Sequence, residues 1–526
     1  MNRNGGEFAR ASPPDAVFMD PDLVGMTPDT GAATMATTYP NSPQFTGLNT
    51  PVRIEWEAHD LEIEGEIPAE IEGAFFRAVP DPAHPPLFED DNYLSGDGMV
   101  SRFLFRGGRV DHAIKYVRTA RYEAEREARR ALFGRYRNPF TDLPEAKGVD
   151  RTLANTTPVW HAGRLFMTKE DGRAYEVDPD TLETIGQWDF HGGLRSETMT
   201  AHVRIDPDTG EMFFFGYEAS GPCSRDVAYC IADKDGNLVS EQWFEVPYCA
   251  LMHDFAITET HAIFPVFPTT ADLERLKAGG DHWMHDPELD SWIGVMPRYG
   301  KVEEMRWFKG PKGASAYHFM NAFDEGSRVH LDFGVSSTNA FPFIQVTSGT
   351  KPPMEERRGG LVRWTMDMSR NSDEIEERPL GPPGDMPRIP DARQGRPYRV
   401  GYYCSVNPQG GPPVVGGPVE AMFNVLFRID HETGQVDVLG TPPGTAISEP
   451  VHIPSAEPGR EGWLMMVVDK AIDENAFRSE LWIVDAGNIS AGPVARVKVP
   501  IQLRAQVHGW WVPAAELEQA KAREEA

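Results

Sequence analysis

The chain has 526 residues, 40% of them hydrophobic and 25% charged, enough for one large all-β domain or two or three ordinary ones. Acidic residues outnumber basic ones 80 to 51, and the net charge of −29 repels nucleic acid and anionic membrane surfaces while favouring solubility. Cys223, Cys230, Cys249 and Cys404 show no CxxC spacing, no N-terminal signal pattern is visible, and no apolar run nears the roughly 18 residues of a spanning helix, so free thiols in a cytoplasmic protein are expected.

Residues 1–49 are rich in Gly, Pro, Thr, Asp and Ala without periodicity and read as a partly irregular arm laid over the body. From residue 50 onward short apolar or alternating runs recur. They are separated by turns such as Asp178-Pro179-Asp180-Thr181, Asp206-Pro207-Asp208-Thr209-Gly210, Asp233-Lys234-Asp235-Gly236-Asn237, Asp324-Glu325-Gly326 and Asp430-His431-Glu432-Thr433-Gly434. In these turns proline presets φ, aspartate caps through its side chain, and glycine supplies positive φ.

The flanking runs at 164–168, 211–216, 227–232, 261–266, 329–333, 421–429, 463–468 and 481–485 predict strands. Many short strands with hairpin turns suit a sandwich, barrel or propeller, and the length with its irregular repeat favours a propeller of divergent blades over 50–513. Helix is expected only at 120–133, at 514–526 as a C-terminal tail, and briefly at 270–277. The proline-rich stretch 378–397 reads as a long connection crossing the surface.

Four histidines stand beside short apolar runs: Thr200-Ala201-His202, Met252-His253-Asp254-Phe255, Tyr317-His318-Phe319-Met320 and Val507-His508-Gly509-Trp510. They meet if their strands radiate from a common axis. Neutral imidazole suits Fe(II), Zn and Cu, and four neutral ligands leave a divalent ion its full charge, with two octahedral positions open. The chain has 15 histidines and no HxH or HExxH signature, so spacing alone also admits a set of ordinary core and surface histidines.

Several short segments, in order, resemble the carotenoid cleavage oxygenases. They are Phe75-Phe76-Arg77-Ala78-Val79-Pro80-Asp81-Pro82, Gly96-Asp97-Gly98-Met99-Val100, Asn155-Thr156, Thr200-Ala201-His202, His253-Asp254-Phe255, Tyr317-His318, Ser448-Glu449-Pro450 and His508-Gly509, spread over 73–513. The resemblance implies an all-β, seven-bladed β-propeller with a few helical insertions capping the active-site face. It also implies a non-haem Fe(II) held by His202, His253, His318 and His508.

Glu170 and Glu449 match two carboxylates that orient such ligands. The third falls in Asp385-Met386-Pro387-Arg388, where the family pattern is Glu-x-Pro-Arg and this chain has the shorter aspartate. Thr156 matches a small side chain beside an open metal position.

Lys169 and Tyr136 resemble the pair that holds a 4-hydroxyl group in the stilbene-cleaving branch, with Tyr122 and Tyr116 as alternatives for the tyrosine. A cationic lysine beside a tyrosine hydroxyl stabilises a phenolate, whose electrons delocalise through the styryl system. Outside the resemblance, Lys169 reads as a strand-edge lysine paired with Glu170 and Tyr136 as a packing residue. Leu94 stands where some relatives carry a cavity-lining aromatic.

The segment 270–280 is charged and only 341–344 is strongly apolar, so little membrane contact is expected. The resemblance thus implies cleavage of the central C=C of a hydroxylated, lignin-derived stilbene by dioxygen into two aromatic aldehydes. The partners are a small aromatic alkene and O2, without nucleic acid, and a homodimer is left open. The alternatives are an apocarotenoid or another phenylpropenoid as substrate, or a non-catalytic propeller binding module with structural or zinc-bound histidines.

Overall fold

The structure is a computed structural model that describes residues 38–350, 359–474 and 476–524. Most of the arm expected over 1–49 lies outside these residues. Its described end is fastened to the body: Phe45 and Leu48 are buried, Leu48 N donates to Val415 O at 2.9 Å, and buried Arg504 donates to Gln44 O and Asn49 O.

Among the described residues, seven antiparallel sheets of four or more strands follow one another along the chain. The first has the order Trp56–Ala58, Arg109–Tyr116, Gly98–Arg106, Gly73–Pro80, with Gly509–Pro513 on its far edge. Five four-stranded sheets in sequence order come next, opening on Thr157–His161, Arg204–Ile205, Ala256–Ile257, Phe319–Glu325 and Asp385–Arg388. The last is built on Trp463–Ala471, Phe477–Asp485 and Pro493–Lys498, and it takes Ile63–Gly65 as its outer strand. The ends of the body therefore interlock, Ile63 opposite Val497 and Phe75 opposite Trp511.

Period-two alternation assigns side chains to the two faces of each sheet, and both faces are buried. Phe75, Val79 and Phe103 of the first sheet join Met465, Val467 and Leu481 of the last. Ala74, Phe76 and Val100 instead join Leu165, Met167 and Val177 of the second. The same sharing links second to third, third to fourth, fourth to fifth, fifth to sixth and sixth to seventh. Hence strands such as Met212–Tyr217 are apolar throughout and buried at every position. Each large side chain so buried contributes about 1.5–3 kcal/mol.

The turns carry the expected aspartate caps. Oδ1 of Asp178, Asp206, Asp233 and Asp430 each accepts backbone N–H groups from two residues within the next four.

Three elements differ from the sequence reading. The helix expected at 120–133 ends at Ala128, with Arg129 left-handed at φ 57°, because Leu132 and Phe133 turn into a small cluster with Ala146 while Glu125 accepts their amides. Burial of two large side chains there overrides helix propensity. The stretch 378–397 is not one surface connection: Glu376–Gly381 closes one sheet and Asp385–Arg388 opens the next. Both are edge strands, where proline is tolerated. The strand expected from 421 begins at Val425. The remaining helices run Leu273–Lys277, capped by Asp272, and Ala514–Glu524. No helix among the described residues is long and apolar enough to cross a membrane.

Candidate metal centre and cavity

Each of the four histidines stands just before an edge strand of a sheet: His202 before Arg204–Ile205, His253 before Ala256–Ile257, His318 before Phe319–Glu325, His508 before Gly509–Pro513. Their ligand nitrogens all lie within 4.8 Å of one another. Nε2 of His253 is 3.0 Å from Nε2 of both His202 and His318, and the His318–His508 separation is 3.2 Å.

The protonation pattern tests whether a metal fits. His253 Nδ1 meets Glu170, His318 Nδ1 meets Asp385 at 2.8 Å, and His508 Nδ1 meets Glu449 at 2.9 Å. An ionised carboxylate only accepts, so each Nδ1 carries the proton and each Nε2 keeps its lone pair. Three lone pairs converging at about 3 Å repel unless a cation sits among them. Burial and the neighbouring rings hold His202 well below the usual imidazole range. Burial likewise pushes His508 down to about 4 against the pull of Glu449. Asp385 raises His318 instead, against its burial, so a cation bound among the rings would displace a proton there. Imidazole nitrogens aimed at one point fit a divalent transition metal such as Fe, Zn or Cu.

Burial opposes ionisation of the three carboxylates, yet their neighbours prevail. His253 and Lys169 hold Glu170 below the usual range, His318 does so for Asp385, and Arg388 with His508 for Glu449. The shorter aspartate at 385 therefore still reaches its histidine. Met386 beside it is left-handed at φ 55°.

Two supports were not legible in the sequence. Arg204 Nη2 donates to both oxygens of Asp254 at 2.6 Å, Arg204 Nε donates to Phe255 O, and Asp254 Oδ2 accepts from Phe319 N at 2.9 Å. Arg204, Asp254 and Phe319 lie one or two residues after His202, His253 and His318, so one buried ion pair joins three histidine-bearing segments. On the other side Arg388 donates to Glu449 and to Gly509 O, while Arg77 donates to Glu449 O and Val507 O. In the sequence Arg204 and Asp254 are signalled only by their adjacency to His202 and His253, and Arg77 and Arg388 only by standing in the motifs at 75–82 and 385–388.

A cavity of about 120 Å³ opens on His253, His318 and His508, and its wall includes Lys169, Tyr136, Thr156 and Leu94. Lys169 Nζ donates to Asn155 Oδ1 at 3.0 Å and to Leu94 O at 3.3 Å, and it lies 5.3 Å from the centre of the Tyr136 ring. Asn155 is itself held by Leu94 O and Gly96 O, which turns its oxygen toward the lysine. Lysine has three donors, and two are spent. Burial lowers the Lys169 pKa against the pull of Asp171 and Glu170, and burial raises that of Tyr136. Thr156 O accepts from His508 N at 3.3 Å, which places Thr156 beside the histidine cluster.

Tyr136 is positioned by the residue after it. Arg137, left-handed at φ 55°, pairs with Glu218 at 2.5 Å and donates to Tyr217 Oη; His282 contacts both Glu218 and Arg137 O at 2.9 Å. These partners lie 80 to 145 residues away and carry no local signature. Tyr116 and Tyr122 stack on one another at 4.9 Å in the core between the first and last sheets and do not line the cavity.

The sequence matches the retinal pigment epithelial membrane protein (RPE65) family over residues 49–513. It is 41% identical over 486 residues to lignostilbene-alpha,beta-dioxygenase isozyme III of Sphingomonas paucimobilis, covering 91% of this chain and 99% of that protein. It is 42% identical over 484 residues to isoeugenol monooxygenase of Pseudomonas nitroreducens, covering 91% and 100%. The crystal structure of Pseudomonas brassicacearum lignostilbene dioxygenase is similar with a TM-score of 0.86 at 39% identity, over 91% of this chain and all of that one.

Proposed function

Because the chain belongs to the RPE65, or carotenoid cleavage oxygenase, family, we propose that it splits the central C=C of 4-hydroxylated, lignin-derived stilbenes with dioxygen. The products are two aromatic aldehydes, one oxygen atom going to each carbon of the broken bond. The observation that carries this reading is that Lys169 and Tyr136 share one cavity with His253, His318 and His508.

We read the circuit of seven sheets, each sharing a core with the next and the last with the first, as a seven-bladed propeller. His202, His253, His318 and His508 are its metal ligands, and Fe(II) is the ion. Iron held there would supply activation of dioxygen. Glu170, Asp385 and Glu449 fix the ligand tautomers through the Nδ1 protons, and Thr156 limits access to one side of the centre.

In the same cavity, the remaining Lys169 donor and the Tyr136 hydroxyl hold the substrate's 4-oxygen. A cation beside a phenol favours phenolate, and the phenolate pushes electron density through the ring onto the alkene. The apolar walls supplied by Leu94, Leu251, Phe341 and Met422 exclude water from the activated phenolate. All of these residues come from one chain, so the chemistry needs no second copy. The four free cysteines favour a reducing, cytoplasmic setting.

Isoeugenol is the second reading, favoured by the 42% identical relative. It too is a phenol conjugated to an alkene and would use the same anchor. The deciding experiment is aerobic turnover of 4-hydroxystilbene and isoeugenol by Fe(II)-reconstituted protein and its His318→Ala variant, with aldehydes read by chromatography. Two aldehydes from the stilbene, and none from the variant, are expected. Cleavage of isoeugenol alone transfers the assignment to phenylpropenoids, and no aldehyde from either overturns it.

A further inference from the structure

Gln506, two residues before His508, lines the same cavity and is 6% exposed. Its amide is anomalous. Both Oε1 and Nε2 are buried, and neither has a hydrogen-bond partner among the described residues. A buried carboxamide ordinarily satisfies at least one of its groups, because each unpaired one forfeits its hydration without replacement. Two other polar residues of the wall are already engaged. Lys169 bonds Asn155 and Leu94, and Thr156 Oγ1 donates to Asn155. Gln506 shares none of these contacts and is a separate polar point in a wall that Leu251, Val419, Met422 and Val507 make apolar.

We propose that Gln506 recognises a hydroxyl on the substrate ring remote from the Lys169 anchor. This deepens the stilbene reading and rests on it. A carboxamide presents one acceptor and two donor hydrogens, and a hydroxyl is both donor and acceptor, so the two satisfy one another. A methoxy group only accepts and leaves Oε1 unpaired; an unsubstituted ring leaves the whole amide unpaired. The cavity thus prefers stilbenes hydroxylated on both rings over those carrying the single 4-hydroxyl. A site built to bond a hydroxyl rejects the analogue lacking it more strongly than an apolar pocket does.

The test compares 4-hydroxystilbene with 3′,4-dihydroxystilbene and 4,4′-dihydroxystilbene in the wild type, Gln506→Leu and Gln506→Met. The selectivity ratio, kcat/KM for the better diphenol over the monophenol, is expected to exceed one in the wild type. It should fall about tenfold in both variants, as loss of a neutral hydrogen bond to a buried partner implies. Anaerobic binding of the same stilbenes to metal-free protein should show the same fall in the ratio of affinities, which decides the proposal even if no stilbene is turned over. Absence of turnover in the wild type, by contrast, counts against the proposed reaction. Thermal unfolding separates a structural role: removing an unpaired amide should leave Tm no lower than in the wild type. Unchanged selectivity in both variants, in turnover and in binding, overturns the assignment.

Discussion

Both oxygens of Asp254 accept from one arginine nitrogen, Nη2 of Arg204, at 2.6 Å, while Oδ1 also holds the amide of Phe255 and Oδ2 that of Phe319. Asp254 is buried and Arg204 half-buried, at 2% and 14% side-chain exposure, so removing one partner strands the other charge. Asp254→Ala is expected to cost about 3–5 kcal/mol of stability and to lower metal content at the histidine centre. Urea denaturation with metal analysis on the same samples checks both.

Asp385 reaches His318 despite its shorter side chain. Replacing it by asparagine removes the charge that fixes the Nδ1 proton. Metal affinity of Asp385→Asn is expected to fall about 10–100-fold, measured by chelator competition, with little change in the far-ultraviolet spectrum.

At the phenol end, the wild type should cleave 4-hydroxystilbene far faster than its 4-O-methyl ether. Lys169→Met is expected to lose about 100-fold in kcat/KM on the phenol and to erase that discrimination. Equal rates for phenol and ether in the wild type would remove the role of Lys169 and Tyr136.

The clamp on Tyr136 makes a subtler prediction. Glu218→Gln weakens the hold on Arg137 and on His282, both of which set the backbone after Tyr136. A rise in KM for the phenol of about tenfold, larger than any change for the ether, is expected from steady-state kinetics.

Asp469 supplies a pH dependence. Burial pushes its carboxyl up to about 7, against Ser479 and Arg77, whereas an unfolded aspartate titrates near its ordinary value of 3.8. As pH rises between these values the unfolded state releases this proton first, so folding loses stability. Asp469→Asn should therefore be more stable than the wild type at pH 8 and lose that advantage by about pH 4, read from denaturation midpoints at the two pH values.

What the sequence disclosed was local. The hairpin tips at Asp178, Asp206, Asp233 and Asp430 could be read because the capping aspartate and the amides it binds are within four residues. The histidines were legible because each stands beside an apolar run and because the short motifs resemble a family. What it hid was held by distance. Arg204 finds Asp254, and Arg137 finds Glu218 and His282, across 50 to 145 residues with no spacing rule to announce them. The helix after Ala120 stops short of 133 because Glu125, Leu132 and Phe133 answer to a tertiary cluster. The prolines of 378–397 misled for a related reason: proline forbids central strands, and these strands are edges.

The interlocked ends of the body tie chemistry to the completion of synthesis. The strand that closes the first sheet is Gly509–Pro513, and the residue that leads into it is His508. A chain still on the ribosome, or clipped before this strand, lacks both the closing strand and the fourth histidine. Such a fragment cannot bring the four histidines together, so a metal centre built on them would wait until that last sheet edge is in place.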